Sequence, residues 1–174
     1  MVKFLLARGR DSPSPTFEEV YERRFDMLYR VCFSYMKSKA DAEDAVSQVF
    51  EKLLKNGLSF KSAEHEKAWL LRTAINQCKD LLKNLRRTFE NIDNYENLEA
   101  KNAIPDNELL MTVLGLPERY KDVIYLYYYE GYSTAEVADI LQKPQSTIRS
   151  HMREARILLK GVLEDEERQN RGSI

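Results

Sequence analysis

The chain has 174 residues, 43% hydrophobic and 32% charged, a balance that supports a packed core and excludes wholesale disorder. Six glycines and five prolines are few for this length, so helices are favoured over sheets. The net charge of −1 argues at first against a nucleic-acid partner, and no apolar run is long enough to span a bilayer.

Residues 1–15 read as a flexible leader ending in Ser12-Pro13-Ser14-Pro15, and the apolar patch Phe4-Leu5-Leu6-Ala7 is too short for a secretory segment. Thr16 opens a first helix with Glu19 as its capping-box partner. Phe17, Val20, Tyr21, Phe25, Leu28, Val31, Cys32, Tyr35 and Met36 then follow the spacing of one buried face. A second helix is expected from about Asp41, a good N-cap, with Ala42, Ala45, Val46, Val49, Phe50, Leu53 and Leu54 inward and Gly57 as the stop. After a polar stretch, Leu58 to Glu66, a third helix is expected to run to about Arg87 on Ala68, Leu71, Ala74, Ile75, Cys78, Leu81, Leu82 and Leu85. Residues 89–106 are acidic and Asn-rich without a clean period, and read as a linker.

A second helical unit is expected from about Asn107, with Leu109, Leu110, Val113 and Leu114 apolar. Pro117 restarts a helix that carries Val123, Ile124, Tyr127 and Tyr128 inward as far as Gly131. Ser133, with Glu136 three residues on, caps a short helix to Leu141; Gln142-Lys143-Pro144 is a tight turn; a longer basic helix follows from Gln145 to about Leu163. Short helix, tight turn and longer basic helix make the plan of a helix-turn-helix.

The small net charge hides segregation. Lys67, Arg72, Lys79, Lys83, Arg86 and Arg87 form one basic block against Asp80, and Arg149, Arg153, Arg156 and Lys160 form another against Glu154. Acids gather at Asp41–Glu51, Glu90–Glu108 and Glu164–Glu167. Two basic blocks among acidic ones suit two contacts with a polyanion and a separate contact with a basic partner. At about 100° per residue, Ile148, Met152, Ala155, Leu159 and Val162 share one side of the last helix, and Ser146, Arg149, Ser150, Arg153 and Lys160 the other. Ser146, Thr147, Arg149, Ser150 and Arg153 are the candidates for reading base edges, and Arg156 and Lys160 for holding phosphates.

These segments resemble the extracytoplasmic-function sigma factors. Leu116-Pro117-Glu118-Arg119-Tyr120, Tyr129-Glu130-Gly131-Tyr132-Ser133 through Ala138, and Ser146 through Arg156 are similar to region 4 of that family. Asp41-Ala42-Glu43-Asp44-Ala45-Val46-Ser47-Gln48-Val49-Phe50 and Trp69-Leu70-Leu71-Arg72-Thr73-Ala74-Ile75-Asn76-Gln77-Cys78-Lys79-Asp80 are similar to region 2. The resemblance covers roughly residues 16–163. It implies an all-α protein of two small helical domains on a flexible linker: region 2 over 16–88, linker 89–106, region 4 over 107–163 and a tail 164–174. It also implies that Asp41, Asp44, Gln48 and Glu51 meet the β′ clamp helices of core RNA polymerase, with the β flap a further polymerase contact. Lys61, Ser62, Ala63, His65, Arg72, Asn76, Lys79, Lys83, Arg86 and Arg87 would hold the melted −10 element, with an extruded base captured by the loop. Phe60 fits that loop or the core, the core being favoured, and Trp69 a packing anchor. The −35 duplex would meet Ser146, Thr147, Arg149, Ser150, Arg153, Arg156 and Lys160. An anti-sigma factor is an expected partner.

The chain departs from the family pattern at Pro144, where a capping Ser or Asp is common, at Ser146, where Gly is usual, and at His151 and Glu154, where Arg or Lys is common. An ordinary helix-turn-helix regulator with a dimerisation or effector domain in front is the alternative, but it has no use for the basic third helix. His65 and His151 lack companions at a metal-ligand spacing, and Cys32 and Cys78 lie on apolar faces. Without a Gly-rich phosphate loop, a nucleophile elbow or paired acids, no cofactor, no metal and no catalysis are expected. A cytoplasmic location without membrane insertion follows.

Overall fold

A computed structural model describes residues 15–89, 112–113 and 116–171, with side chains over 15–84, 112–113 and 116–161. Most of the leader and linker, the helix start near Asn107 with Leu109, Leu110 and Leu114, and the side chains of Leu85, Arg86, Arg87 and Val162 lie outside the described residues. Among the described residues every regular element is helical, and the chain divides into two units at Ile104 and Pro105.

The first unit is three helices: α1 (Phe17–Met36), α2 (Lys39–Asn56) and α3 (Ala63–Phe89). Thr16 and Glu19 close the capping box, with the Thr16 N–H donating to Glu19 Oε2 at 2.9 Å and the Glu19 N–H donating to Thr16 Oγ1 at 3.3 Å. α2 begins earlier than its acidic run suggests: Ser38 is the N-cap, its hydroxyl accepting from the Asp41 N–H at 3.4 Å, which leaves Asp41 a first-turn acid. α3 also begins early, because Ser62 Oγ accepts from the His65 N–H at 3.1 Å and brings Glu66 inside the helix. Each pair of these helices is in contact, and they share a core that includes Val20, Leu28, Val31, Cys32, Ala45, Val46, Val49, Leu53, Leu71, Ala74, Ile75 and Cys78. Leu54 and Tyr21, both on expected inner stripes, are 56% and 40% exposed. Phe17, Tyr21, Phe25, Tyr29 and Phe33 instead stack down α1 at successive centroid distances of 6.0, 5.2, 6.0 and 5.9 Å. Phe50 of α2 closes the top of this ladder, 4.7 Å from Tyr21.

Glu66 is 1% exposed although charged. Both of its oxygens accept from Arg23 Nη2, at 3.0 and 2.9 Å, and Oε1 also accepts from Arg24 Nε at 2.9 Å. Arg24 Nη2 donates in addition to the Ala63 carbonyl at 3.1 Å. Two adjacent arginines of α1 thus clamp the first turn of α3, and a paired, multiply bonded carboxylate can be buried where a lone one cannot.

The second unit holds α4 (Glu118–Ile124), α5 (Thr134–Leu141) and α6 (Gln145–Arg171). α4 runs straight into a π-helical turn, Tyr125–Tyr129, in which the Glu130 N–H donates to the Tyr125 carbonyl at 3.2 Å. A regular helix to Gly131 was expected. The wider turn keeps Tyr125 and Leu126 buried and delivers Tyr128 to the surface at 54% exposure. Gly131 reverses the chain at φ 77°, and the expected Ser133–Glu136 capping box opens α5. Gln142 ends α5 in the left-handed region at φ 53°, and Pro144 supplies the carbonyl that accepts from the Ile148 N–H at 3.2 Å, so a proline stands at the cap of α6. Gln145 Nε2 donates to Thr134 Oγ1 at 3.0 Å and fixes the start of α6 against that of α5. Val113, Leu116, Tyr120, Ile124 and Ala155 form one core cluster, with Tyr129 and Leu159 against it. The helical backbone continues to Arg171, past the Leu163 end expected from sequence.

Candidate nucleic-acid interface

Ile148, Met152 and Ala155 are buried along the inner side of α6, and Leu159 is half-buried. That leaves Ser146, Arg149, Ser150, Arg153, Arg156 and Lys160 exposed, with Thr147 half-buried. At about 100° per residue, Arg149, Arg153, Arg156 and Lys160 fall within an arc of about 60° and form a cationic row. Arg156 Nε donates to the Tyr128 hydroxyl at 2.9 Å, so the π-turn flanks this row; sequence spacing gave no signal for that contact.

The two departures His151 and Glu154 have structural explanations. Glu154 accepts from the Tyr120 hydroxyl at 2.6 Å and from Ser150 Oγ at 3.3 Å. The Tyr120 bond holds the Glu154 carboxyl below its ordinary pKa and pushes the Tyr120 hydroxyl above its own. His151 lies edge-on to the Tyr120 ring at 5.8 Å, with Nδ1 buried and unpartnered. Burial first, then Lys143, lowers its pKa, while Glu154 opposes. The imidazole is therefore a neutral wedge between α4 and α6.

In the first unit, Lys61, Ser62, Ala63 and His65 are exposed at the start of α3, and Phe60 is half-buried. The Lys61 N–H donates to His65 Nδ1 at 3.4 Å. Phe60 lies 5.7 Å from the rings of both His65 and Trp69, so the loop is folded onto the helix by its own aromatics. Arg72, Asn76, Lys79 and Lys83 follow along α3 at intervals of four, three and four residues, on one face. Asn76 and Lys83 are exposed, and Arg72 and Lys79 half-buried. Lys79 Nζ stands 6.0 Å from the Tyr35 ring centroid.

Asp41, Asp44, Gln48 and Glu51 recur along α2 at intervals of three, four and three. The three acids are exposed, but Gln48 is half-buried and engaged: Gln77 Nε2 of α3 donates to its side-chain oxygen, and Lys52 Nζ donates to Gln77 Oε1. Gln77 and Lys52, absent from the sequence-based candidates, thus set the presentation of Gln48. Glu51 is 3.9 Å from Lys55 and Glu43 is 3.9 Å from Lys39, exposed pairs of small energetic weight.

Among the described residues no three His, Cys, Asp or Glu side chains converge as a metal site, and no helix is long and apolar enough to cross a membrane. A three-helix unit with an acidic face and a basic helix, and a second unit built on a helix-turn-helix with a cationic outer row, together define a bipartite DNA-binding transcription protein.

Comparison with known proteins narrows that class. The sigma-70 region 2 family matches residues 20–88 and the sigma-70 region 4 family matches residues 106–159, together more than two thirds of the chain. The chain is 23% identical over 183 residues to the ECF RNA polymerase sigma factor SigW of Bacillus subtilis, covering 95% of this chain and 98% of that one. It is 29% identical over 145 residues to the ECF RNA polymerase sigma-E factor of Haemophilus influenzae, covering 73% and 77%. The fold is similar to that of sigma factor RpoE, solved in complex with the anti-sigma factor NepR from Bartonella quintana, at TM-score 0.68, 22% identity and 85% and 96% coverage. It is also similar to CnrH in complex with the cytosolic domain of CnrY, at TM-score 0.59, 21% identity and 86% and 88% coverage. The chain belongs to the extracytoplasmic-function sigma factors, the non-enzymatic initiation factors that bind core RNA polymerase and promoter DNA. The regulator alternative does not account for the region 2 match.

Proposed function

We propose that the two units divide promoter recognition along the charged surfaces just described. α6 reads the −35 duplex: Ser146, Thr147, Arg149, Ser150 and Arg153 face base edges, and Arg156 and Lys160 hold phosphates. The aromatic-pinned loop with Lys61, Ser62, Ala63 and His65 captures the melted −10 element, and the α3 residues Arg72, Asn76, Lys79, Lys83, Arg86 and Arg87 grip its backbone. The face of Asp41, Asp44, Gln48 and Glu51 docks on the basic β′ clamp helices, and the second unit on the β flap. The protein works in the cytoplasm, where the polymerase is. An anti-sigma factor restrains it, a reading supported by similar folds having been solved in such complexes.

The observation that carries this reading is the exposed cationic row Arg149–Arg153–Arg156–Lys160 opposite the buried Ile148, Met152 and Ala155. In vitro transcription with core polymerase over a library of promoter fragments tests it. Arg149→Ala with Arg153→Ala is expected to abolish −35 preference while leaving polymerase association intact. Asp44→Ala with Gln48→Ala is expected to weaken polymerase association and to leave the sequence preference of any residual initiation unchanged. Identical defects from both double variants would refute the division.

A further inference from the structure

We propose that Glu154 is a positioning residue that makes Ser150 a pure hydrogen-bond acceptor in the major groove, so that α6 reads the orientation of one base pair. The inference rests on α6 being the promoter-recognition helix. Tyr120 is 6% exposed, held in the core cluster of its unit, with the Arg119 guanidinium 4.6 Å from its ring centroid. Its hydroxyl donates to Glu154 Oε2 at 2.6 Å and anchors an otherwise exposed carboxylate. The other oxygen, Oε1, lies 3.3 Å from Ser150 Oγ, one helical turn earlier.

The polarity of the second bond follows from the charge on Glu154. An ionised carboxylate has no hydrogen to give, so Ser150 must be the donor. The depressed pKa of Glu154, caused first by Tyr120 and reinforced by Ser150, keeps it ionised at neutral pH. The only hydrogen of the Ser150 hydroxyl is committed to Glu154, and its lone pairs remain.

A serine free to rotate contacts donors and acceptors alike, but a locked one accepts only. Its partners in the major groove are adenine N6 and cytosine N4. Opposite them stand thymine O4 and guanine O6, which the locked oxygen and the adjacent carboxylate both disfavour. Each base pair carries one such donor, so the device does not separate A·T from C·G. It separates A·T from T·A and C·G from G·C. Glu154 sits about 140° around the helix from Arg149 and about 100° from Arg153, away from the centre of the cationic row, so its charge is compatible with a phosphate grip by that row.

The isosteric substitution Glu154→Gln gives a sharp test. The Tyr120 hydroxyl still donates, so it orients the amide oxygen toward itself and the NH₂ toward Ser150. Ser150 then accepts from the amide, and its hydrogen becomes free to donate. The full chain, assembled with core polymerase, would be assayed on promoters randomised through the −35 duplex. With the natural sequence, one position is expected to favour A and C over G and T on one strand by about fivefold, the weight of one neutral hydrogen bond. Ser150→Ala should flatten that position by lowering A and C, and Glu154→Gln should flatten it by raising T and G to about the level of A and C, because the released hydroxyl both donates and accepts, with the helical circular dichroism signal unchanged. An unaltered preference in Glu154→Gln, or a change at a different base pair from that of Ser150→Ala, overturns the inference while the −35 reading stands. A natural chain with no −35 preference at any position would instead remove the reading on which the inference rests.

Discussion

Glu66 shows how a single buried side chain can fix the start of α3 to another helix of its unit. Its partners Arg23 and Arg24 lie 43 and 42 residues earlier, a separation that no local pattern encodes, so in the sequence it passes for one more polar residue at the end of a loop. Removing the carboxylate leaves Arg24, only 12% exposed, without its ion-pair partner. Glu66→Ala is expected to cost about 3 kcal/mol in a urea titration, in line with breaking a buried pair from one side. Lysine substitutions at exposed Glu64 should change the same midpoint by less than about 0.5 kcal/mol. His151 makes a second prediction at this scale. Its folded-state pKa lies below the unfolded value because burial penalises the imidazolium. The unfolded state therefore takes up the proton first as pH falls. Stability is full above about pH 6.5 and declines as pH drops through that value toward the lower folded-state pKa. Urea midpoints measured from pH 7.5 to pH 5 should fall more steeply for the natural chain than for His151→Gln.

At the scale of the element, the caps were the most legible feature. Thr16–Glu19 and Ser133–Glu136 form the capping boxes their spacing implies, since the motif is closed by residues three apart. Legibility was lower where two local signals compete. Ser38 and Asp41 are both competent caps, and the structure selects Ser38; Ser38→Ala is expected to destabilise the protein by about 1 kcal/mol, measured by thermal or urea unfolding. The inner face of α6 was legible at Ile148, Met152 and Ala155 because the register of a regular helix needs only the sequence. The π-turn at Tyr125–Tyr129 was not, because five residues rich in tyrosine read equally well at either helical pitch. It matters for the site, since the turn sets Tyr128 beside Arg156. If Tyr128 steadies this guanidinium on a phosphate, Tyr128→Phe should weaken −35 duplex binding two- to fourfold, about the weight of one hydrogen bond, at every sequence alike. Arg156→Ala should weaken it further and reduce the slope of log affinity against log salt by about 1. Fluorescence titrations over a salt series read both quantities.

For the whole molecule, the near-zero net charge is the sum of opposed surfaces rather than an absence of charge. The division into two helical units and the helix-turn-helix were open to sequence reading because amphipathic periods and breakers are local. The ties that shape the candidate surfaces are long-range: Glu66 to Arg23 and Arg24, Gln77 to Gln48, and Tyr120 to Glu154. Those side chains are polar residues of ordinary local context, and only folding brings their partners to them.

Cys32 on α1 and Cys78 on α3 are both free thiols, fully buried in the first unit, and the neighbouring Cys78 thiol, together with burial, raises the Cys32 pKa. The second unit contains no cysteine. Alkylation by a small maleimide or by iodoacetamide therefore works as a stopwatch for one half of the protein alone. Mass spectrometry of the modified chain should register each opening of the three-helix unit and remain blind to fraying around the helix-turn-helix. Bound polymerase should lengthen the lag before the first adduct.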